Sequence, residues 1–233
     1  RSFPESFPLS GYPLSDYAQL FEEKLELLME LLKEKPVTWS GSIRPSLNNQ
    51  EVYPKTEGGS IGIRVGVGGS PESVMRAARL GIPLALAIIG GDPARFAPFS
   101  KLYRMALAEQ GKPELPVSIH SPGHIAETDE QAIEEMWPCY LESFGRIGRE
   151  RGWGETSKDH FVSEVRYGSM YVGSPETVAA KITHALTSVS ASRFDLKYAN
   201  GTMPHSKLMN TIRLYAEEVA PRVRAAVEKE SAA

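Results

Sequence analysis

The stretch from Val65 to Gly91, VGVGGSPESVMRAARLGIPLALAIIGG, constrains this chain more than any other. Ile61, Ile63, Val65 and Val67 alternate as a strand does, and the alternation breaks at Gly68-Gly69. Ser70 then suits a helix N-cap, Pro71 the first helical position, and Glu72 the positive end of the helix dipole. Val74, Ala77 and Ala78 give that helix an apolar face, and Gly81 ends it before Pro83. Leu84 to Ile89 is an apolar run of strand length, closed by Gly90-Gly91. A strand–helix–strand unit of this kind makes its two strands parallel, since the helix carries the chain back to the end from which it started.

The same unit offers an anion site. Gly68 and Gly69 let backbone approach a ligand closely, free N–H groups point out of the helix start, and Ser70 and Ser73 add two hydroxyls. These residues also read as an ordinary cap and turn, so taken alone they leave both readings open.

Along the chain, 1–12 (RSFPESFPLSGY) reads as a loop, and its three Phe residues have no preceding element to pack on. The expectation is that the chain begins partway through a larger protein. Ser15 to Lys35 is an amphipathic helix, and Pro36 to Thr56 is short-strand and turn material, with turns at Ser40-Gly41 and Asn48-Asn49. A helix over Phe96 to Glu109 precedes the strand Pro116 to His120, which runs into a loop at Ser121-Pro122-Gly123-His124. Asp129 to Arg151 is a long helix that Pro138 should kink or divide. Trp153 to Tyr171 reads as loop with one short helix. Gly173-Ser174-Pro175-Glu176-Thr177-Val178 then nearly repeats Gly69 to Val74. Phe194 to Tyr198 is a last strand, and a helix from His205 through about Val223 closes the chain.

Four rounds of strand and helix predict an α/β fold with a parallel sheet and outer helices. Right-handed crossovers curling in sequence would make this part of a TIM (β/α)₈ barrel, about its last four units, over a single domain spanning 1–233. A flavodoxin-like open sheet is the alternative. The chain's 41% hydrophobic content is enough for a substantial core. A net charge of −3 makes no overall case for nucleic acid. The single Cys139 excludes an internal disulfide and a multi-cysteine metal site. With no long apolar run or basic leader, a cytoplasmic protein without a membrane span is expected.

Four segments carry a resemblance: SFPESFPLSGYPLSDYAQLFEEKLELL, VGVGGSPESVMRAARLGIPLALAIIGG, VSIHSPGHIAETDEQA and YVGSPETVAAKI. In this order they are similar to the luciferase-like flavin monooxygenases, closest to the oxidoreductase branch, with the family's N-terminal half absent. The resemblance implies a barrel that binds reduced FMN, or coenzyme F420 in a related branch. It implies oxidation of a small organic substrate with O2, with a flavin reductase as a partner. The two open sheet edges of a half-barrel, which must be paired or covered, separately predict a homodimer or aggregation. It places the flavin phosphate on Ser70 and Ser73, with Gly68 and Gly69 as close-approach backbone. Glu5 and Ser6 match the family's loop after the fourth strand, whereas the usual Gly-Arg-Gly-Ser is reduced to Arg1-Ser2, which puts a clamp role for Arg1 in doubt.

Histidines are the natural proton carriers near neutral pH. His120 at a strand end, His124 four residues on and His205 after the last strand are the catalytic candidates, each also readable as a hydrogen-bonded structural residue. Their spacings suggest no metal site. Ile88 and Ile89 would line a ring pocket or simply fill core. Two other classes stay open: a non-catalytic flavin-binding protein, and a phosphosugar isomerase or aldolase. The second would need a strand-end lysine, for which Lys197, on the same strand face as Asp195, is the one candidate.

Overall fold

The computed structural model describes residues 5–59, 61–152, 154 and 156–231. Arg1 to Pro4, Ser60 and Trp153, which figure in the sequence reading, lie outside the described residues. The chain divides into two compact units, 1–62 and 63–233.

In the first unit the 1–12 stretch contains a helical turn, α1 (Ser6–Leu9), where a loop is expected. The leucines at helical spacing form α2 (Tyr17–Leu31), entered through a 3₁₀ turn at Leu14–Asp16. Leu20 and Leu27, seven residues apart and so on one face, are its buried pair. β1 (Val37–Trp39) and β2 (Leu47–Gln50) then pair antiparallel with an irregular register. Asn48-Asn49, expected as a turn, therefore lies within a strand. Asn49 takes φ +47°, so the left-handed tolerance of asparagine serves a strand irregularity here.

The second unit is built on five parallel strands: β3 (Val65–Val67), β4 (Leu84–Ala87), β5 (Val117–Ile125), β6 (Tyr171–Gly173) and β7 (Arg193–Lys197). β3, β4 and β5 are successive neighbours. β5 then has two further partners: Ser118–Pro122 pair with β7, and Gly123–Ile125 pair with β6. Among the described residues the sheet does not close.

Three differences from the sequence expectation have physical causes. Ile61 and Ile63 continue the alternation of β3 but lie outside it. β6 goes unrecognised in the sequence because its three residues are all buried and show no alternation. Pro122-Gly123 mimics a strand end, yet β5 runs on through His124 to Ile125. Gly123 is required there by proximity: a Cβ would overlap the Tyr171 carbonyl oxygen and lie 2.6 Å from Leu196 Cδ1.

α3 (Pro71–Leu80) starts at Ser70 and ends at Gly81, whose φ is +66°. α4 (Ala97–Glu109) packs on it. α5 (Asp129–Arg151) is a single continuous helix, contrary to the expected break. Pro138 lies on its exposed face, where water can satisfy the carbonyl that the proline leaves unpaired. α6 (Lys158–Tyr167), α7 (Pro175–Val189) and α8 (His205–Leu214) follow, and a π-helical turn at Tyr215–Val219 leads into α9 (Ala220–Ser231). The final helical segment thus extends beyond the expected Val223.

Strand register separates two faces. Val65, Val67, Leu84, Leu86, Val117 and Ile119 share the buried face, with α3 packed on β3 and α7 on β5 and β7. Each fully buried leucine there contributes about 2 kcal/mol. The opposite face is small or polar, carrying Gly66, Ala85, Ala87, His120 and Asp195. A second apolar cluster, including Met136, Tyr140, Phe161, Met170 and Met203, lies among α5, α6 and the segments flanking β6 and α8. No helix among the described residues is long and apolar enough to cross a membrane.

Candidate functional site

The turn from β3 into α3 has the geometry of an anion cradle. Gly69 adopts φ +112°, and a Cβ on Gly68 would meet nothing within 4 Å, so a ligand can come close to the main chain. Among the described residues no protein acceptor satisfies the N–H groups of Gly69 and Ser70. Ser70 Oγ accepts from the Ser73 N–H at 3.3 Å and donates to Glu72 Oε2 at 2.6 Å. That bond, foremost, holds the Glu72 carboxyl below its usual pKa. A phosphate would fit the glycines and the free N–H groups, but would have to draw the Ser70 hydroxyl away from Glu72.

The repeated motif at Gly173 is already filled. Asp129 Oδ1 accepts the Ser174 N–H at 2.6 Å, and its Oδ2 accepts the Thr177 hydroxyl at 2.9 Å. A Cβ on Gly173 would stand 2.7 Å from Asp129 Oδ1, so glycine makes room for that carboxylate. Partial burial works to raise the Asp129 pKa, but the hydrogen bonds from Ser174 and Thr177 outweigh it and leave the group below the usual 3.8. Asp129→Asn is expected to cost about 1–2 kcal/mol at neutral pH. Because the folded-state pKa is depressed, this contribution is present above pH 3.8 and lost as pH falls through the folded value. Urea denaturation of both forms at neutral and strongly acidic pH checks it.

Beside the Gly68 turn lies a cleft of about 590 Å³. Gly68, Ala87, Ile89 and Gly90 contribute from the C-terminal ends of β3 and β4. Phe96, from the turn before α4, and Tyr140 and Phe144, from α5, bring three aromatic rings. Thr156, His160 and Glu164 supply polar groups on and just before α6. Ile89 lines this space, whereas Ile88 is fully buried core. The Glu164 carboxylate holds the wall in place: Oε2 accepts the Gly91 N–H at 3.0 Å and the Ser169 N–H at 3.3 Å. Behind it, Lys181 Nζ donates to the carbonyls of Glu164, Val165 and Met170 and caps the end of α6. Burial of this ammonium brings its pKa down to about 8.

The three candidate histidines sit in different surroundings. His120 is half-buried on β5, in register with Ala87 of the cleft and on the same sheet face. His124, expected in a loop, is fully buried inside β5. Its Nε2 lies 2.8 Å from Glu135 Oε2 and its Nδ1 lies 2.9 Å from Thr211 Oγ1, which joins β5 to α5 and α8. Burial lowers its pKa more than the Glu135 hydrogen bond and charge raise it. His205 is exposed at the start of α8. Glu5 and Ser6 are exposed in the first unit, at the start of α1. Asp195 pairs with Arg193 at 2.6 Å, while Lys197 reaches Asn200 at 3.5 Å. No metal-binding cluster occurs among the described residues.

Sequence reasoning missed Glu164, Phe96, Tyr140 and Phe144 as lining residues; His160 is exposed and borders the same space. The i, i+4 spacing of Tyr140 and Phe144, and of His160 and Glu164, places each pair on one helix face. Nothing in the sequence tells which space that face borders.

The model of the luciferase-like monooxygenase family matches residues 2–193. No curated protein sequence matches significantly. Among solved structures, the monooxygenase RslO1 from Streptomyces bottropensis is 23% identical with a TM-score of 0.75, over 95% of this chain and 66% of that one. The oxygenating constituent of 3,6-diketocamphane monooxygenase from Pseudomonas putida, in complex with FMN, is 16% identical with a TM-score of 0.66, over 96% and 69%. The coenzyme F420-dependent tetrahydromethanopterin reductase from Methanopyrus kandleri is 17% identical with a TM-score of 0.58, over 87% and 62%. The chain therefore spans about two thirds of the length of these solved structures. The family match, the parallel strand–helix order and the open sheet agree: this chain belongs to the luciferase-like monooxygenase family and carries its α/β barrel architecture in incomplete form.

Proposed function

We propose that the chain is the greater part of a flavin-dependent oxidoreductase of the monooxygenase type, using reduced FMN and O2 to oxidise a small organic substrate. The carrying observation is the open Gly68–Gly69 turn, with unpartnered N–H groups at the start of α3, beside a cleft at the strand ends. Ser70 and Ser73 would hold the flavin phosphate with the Gly69 and Ser70 N–H groups, and bound flavin would supply the activation of oxygen. The remaining work falls to the chain. Phe96, Tyr140 and Phe144 keep water from the cleft, and Glu164 holds the Gly90–Gly91 turn against α6. His120 is the proton carrier this reading favours, because it shares a sheet face with the cleft residue Ala87. His124 serves to join β5 to α5 and α8, and His205 is a secondary position at the site. The reading takes 1–233 as one barrel domain of a cytoplasmic, homodimeric enzyme supplied by a flavin reductase.

A second reading, an F420-dependent oxidoreductase, is favoured by the likeness to the Methanopyrus kandleri enzyme. The test is a fluorescence titration with FMN, riboflavin and F420. FMN is expected to bind at least tenfold more tightly than riboflavin, and Ser70→Ala/Ser73→Ala to abolish the difference, a phosphate anchor being worth about 1.4 kcal/mol or more. Ser174→Ala removes an equivalent helix cap and should leave flavin binding intact. Equal binding of FMN and riboflavin would overturn the phosphate site, and preference for F420 would select the second reading.

A further inference from the structure

The chemistry of the cleft's walls narrows what it can receive. Its three aromatic rings come from two separate elements, Phe96 from the β4–α4 connection and Tyr140 and Phe144 from α5. Tyr140 and Phe144 stack nearly parallel with centroids 4.3 Å apart, so each covers one face of the other, and Tyr140 packs on Phe161 as well; Phe96 and the outer side of Phe144 are the ring surfaces left to a ligand. Aromatic ring faces carry negative potential and attract cations, most strongly those that shed water easily, such as alkylated ammonium groups. Against these rings α6 sets the Glu164 carboxylate; burial chiefly raises the Tyr140 phenol's pKa, and the Glu164 charge adds to it. No lysine or arginine lines the cleft among the described residues.

We infer that this cleft selects an organic cation, an amine or alkylammonium group on an apolar or aromatic body, and disfavours carboxylates and sulfonates. The body would lie on Ile89 and the rings, with the cationic head turned toward Glu164. Both Glu164 oxygens already accept backbone N–H groups from Gly91 and Ser169, which fixes the carboxylate's position; its charge is shared with the buried Lys181 ammonium behind it, and its remaining lone pairs are open to a ligand. A volume of about 590 Å³ admits a molecule of drug-like size. That the cation is the substrate rests on the flavin-enzyme reading; that the cleft binds it does not.

The probe is benzyltrimethylammonium, compared with phenylmethanesulfonate, titrated into the flavin-free chain by calorimetry or NMR. The cation is expected to bind at least about tenfold more tightly than the sulfonate. Glu164→Gln should remove most of that preference, and Phe96→Leu, which keeps an apolar wall, should weaken the cation several-fold and leave the sulfonate unchanged. Since Glu164 also ties α6 to Gly91, its variant is first compared with wild type by thermal melt. If it fails to fold, Phe96→Leu decides. Equal affinity for the two probes, or a cation affinity indifferent to these substitutions, would overturn the inference. FMN titrated in parallel separates the two proposals: flavin binding without cation preference defeats only the substrate class. Cation preference without flavin binding defeats the flavin reading and leaves the cation site standing.

Discussion

Gly123→Ala is expected to destabilise the second unit by about 3 kcal/mol, among the largest single-methyl effects this chain can show. The added Cβ would overlap the Tyr171 carbonyl oxygen, approach the Tyr171 carbonyl carbon at 3.0 Å and press on Leu196 Cδ1 at 2.6 Å. Leu196 can change rotamer, but the Tyr171 carbonyl cannot move away cheaply because Tyr171 is the register partner of Gly123. Relief requires β6 to leave β5, and β6 carries Tyr171 and Val172, both buried. The control is Gly66→Ala on β3, where a Cβ would meet nothing within 4 Å. That variant should stay within about 0.5 kcal/mol of wild type. Denaturant unfolding of the three proteins measures the contrast. Similar midpoints for the two variants would mean that β5 and β6 are not in close contact.

Replacing His124 should have an effect of similar size, with a dependence on pH that the glycine variant lacks. His124→Ala leaves a void in β5, removes the histidine partner of Glu135 Oε2 and leaves Thr211 to its bonds with the Ile125 backbone, which sums to about 3 kcal/mol. Burial lowers the imidazole pKa from 6.5 despite the opposing pull of Glu135, so the folded state releases a proton that the unfolded chain retains. Where the unfolded state holds more protons, stability rises with pH. Wild-type stability should therefore be complete above pH 6.5 and decline as pH falls from there through the folded value, by at most about 1.4 kcal/mol per pH unit for this group. Glu135 and Lys207 are the charged groups that act on this histidine; Lys207, 3.5 Å from Glu135, opposes its protonation. His124→Gln cannot titrate, and it should remove this segment of the pH profile. Thermal melts between pH 5 and 8 compare the two, and parallel profiles would show that His124 does not titrate in this window.

These two residues also show where reading from sequence reached its limit. Pro122-Gly123 has the composition of a turn, and His124 after it reads as a loop histidine. The glycine is needed because two backbones touch, and the histidine is buried because the strand continues. Both facts depend on Tyr171, Glu135 and Thr211, which are remote in sequence or on other elements. The Pro138 expectation failed for a related reason: a proline leaves one helix carbonyl without its N–H donor, and on this exposed face water can donate in its place.

The start of α3 is different because all its determinants are local. Ser70, Pro71, Glu72 and Gly81 act within one helix, through capping, a preset φ, the dipole and a left-handed C-cap, so four signals within twelve residues specify it without help from the rest of the chain. The strand–helix alternation is legible for the same reason, and with it the parallel sheet and the family. Local order cannot distinguish the two Gly-Ser-Pro-Glu starts, which are nearly identical in sequence. One is closed by the Asp129 carboxylate brought from α5, while the other keeps unpartnered N–H groups. Nor can it assemble Phe96, Tyr140 and Glu164 into one cleft. Sequence by itself determined the elements, because capping and periodicity act over a few residues. Only the tertiary structure decided which helix start is open and which side chains share a space, because those are contacts between residues distant along the chain.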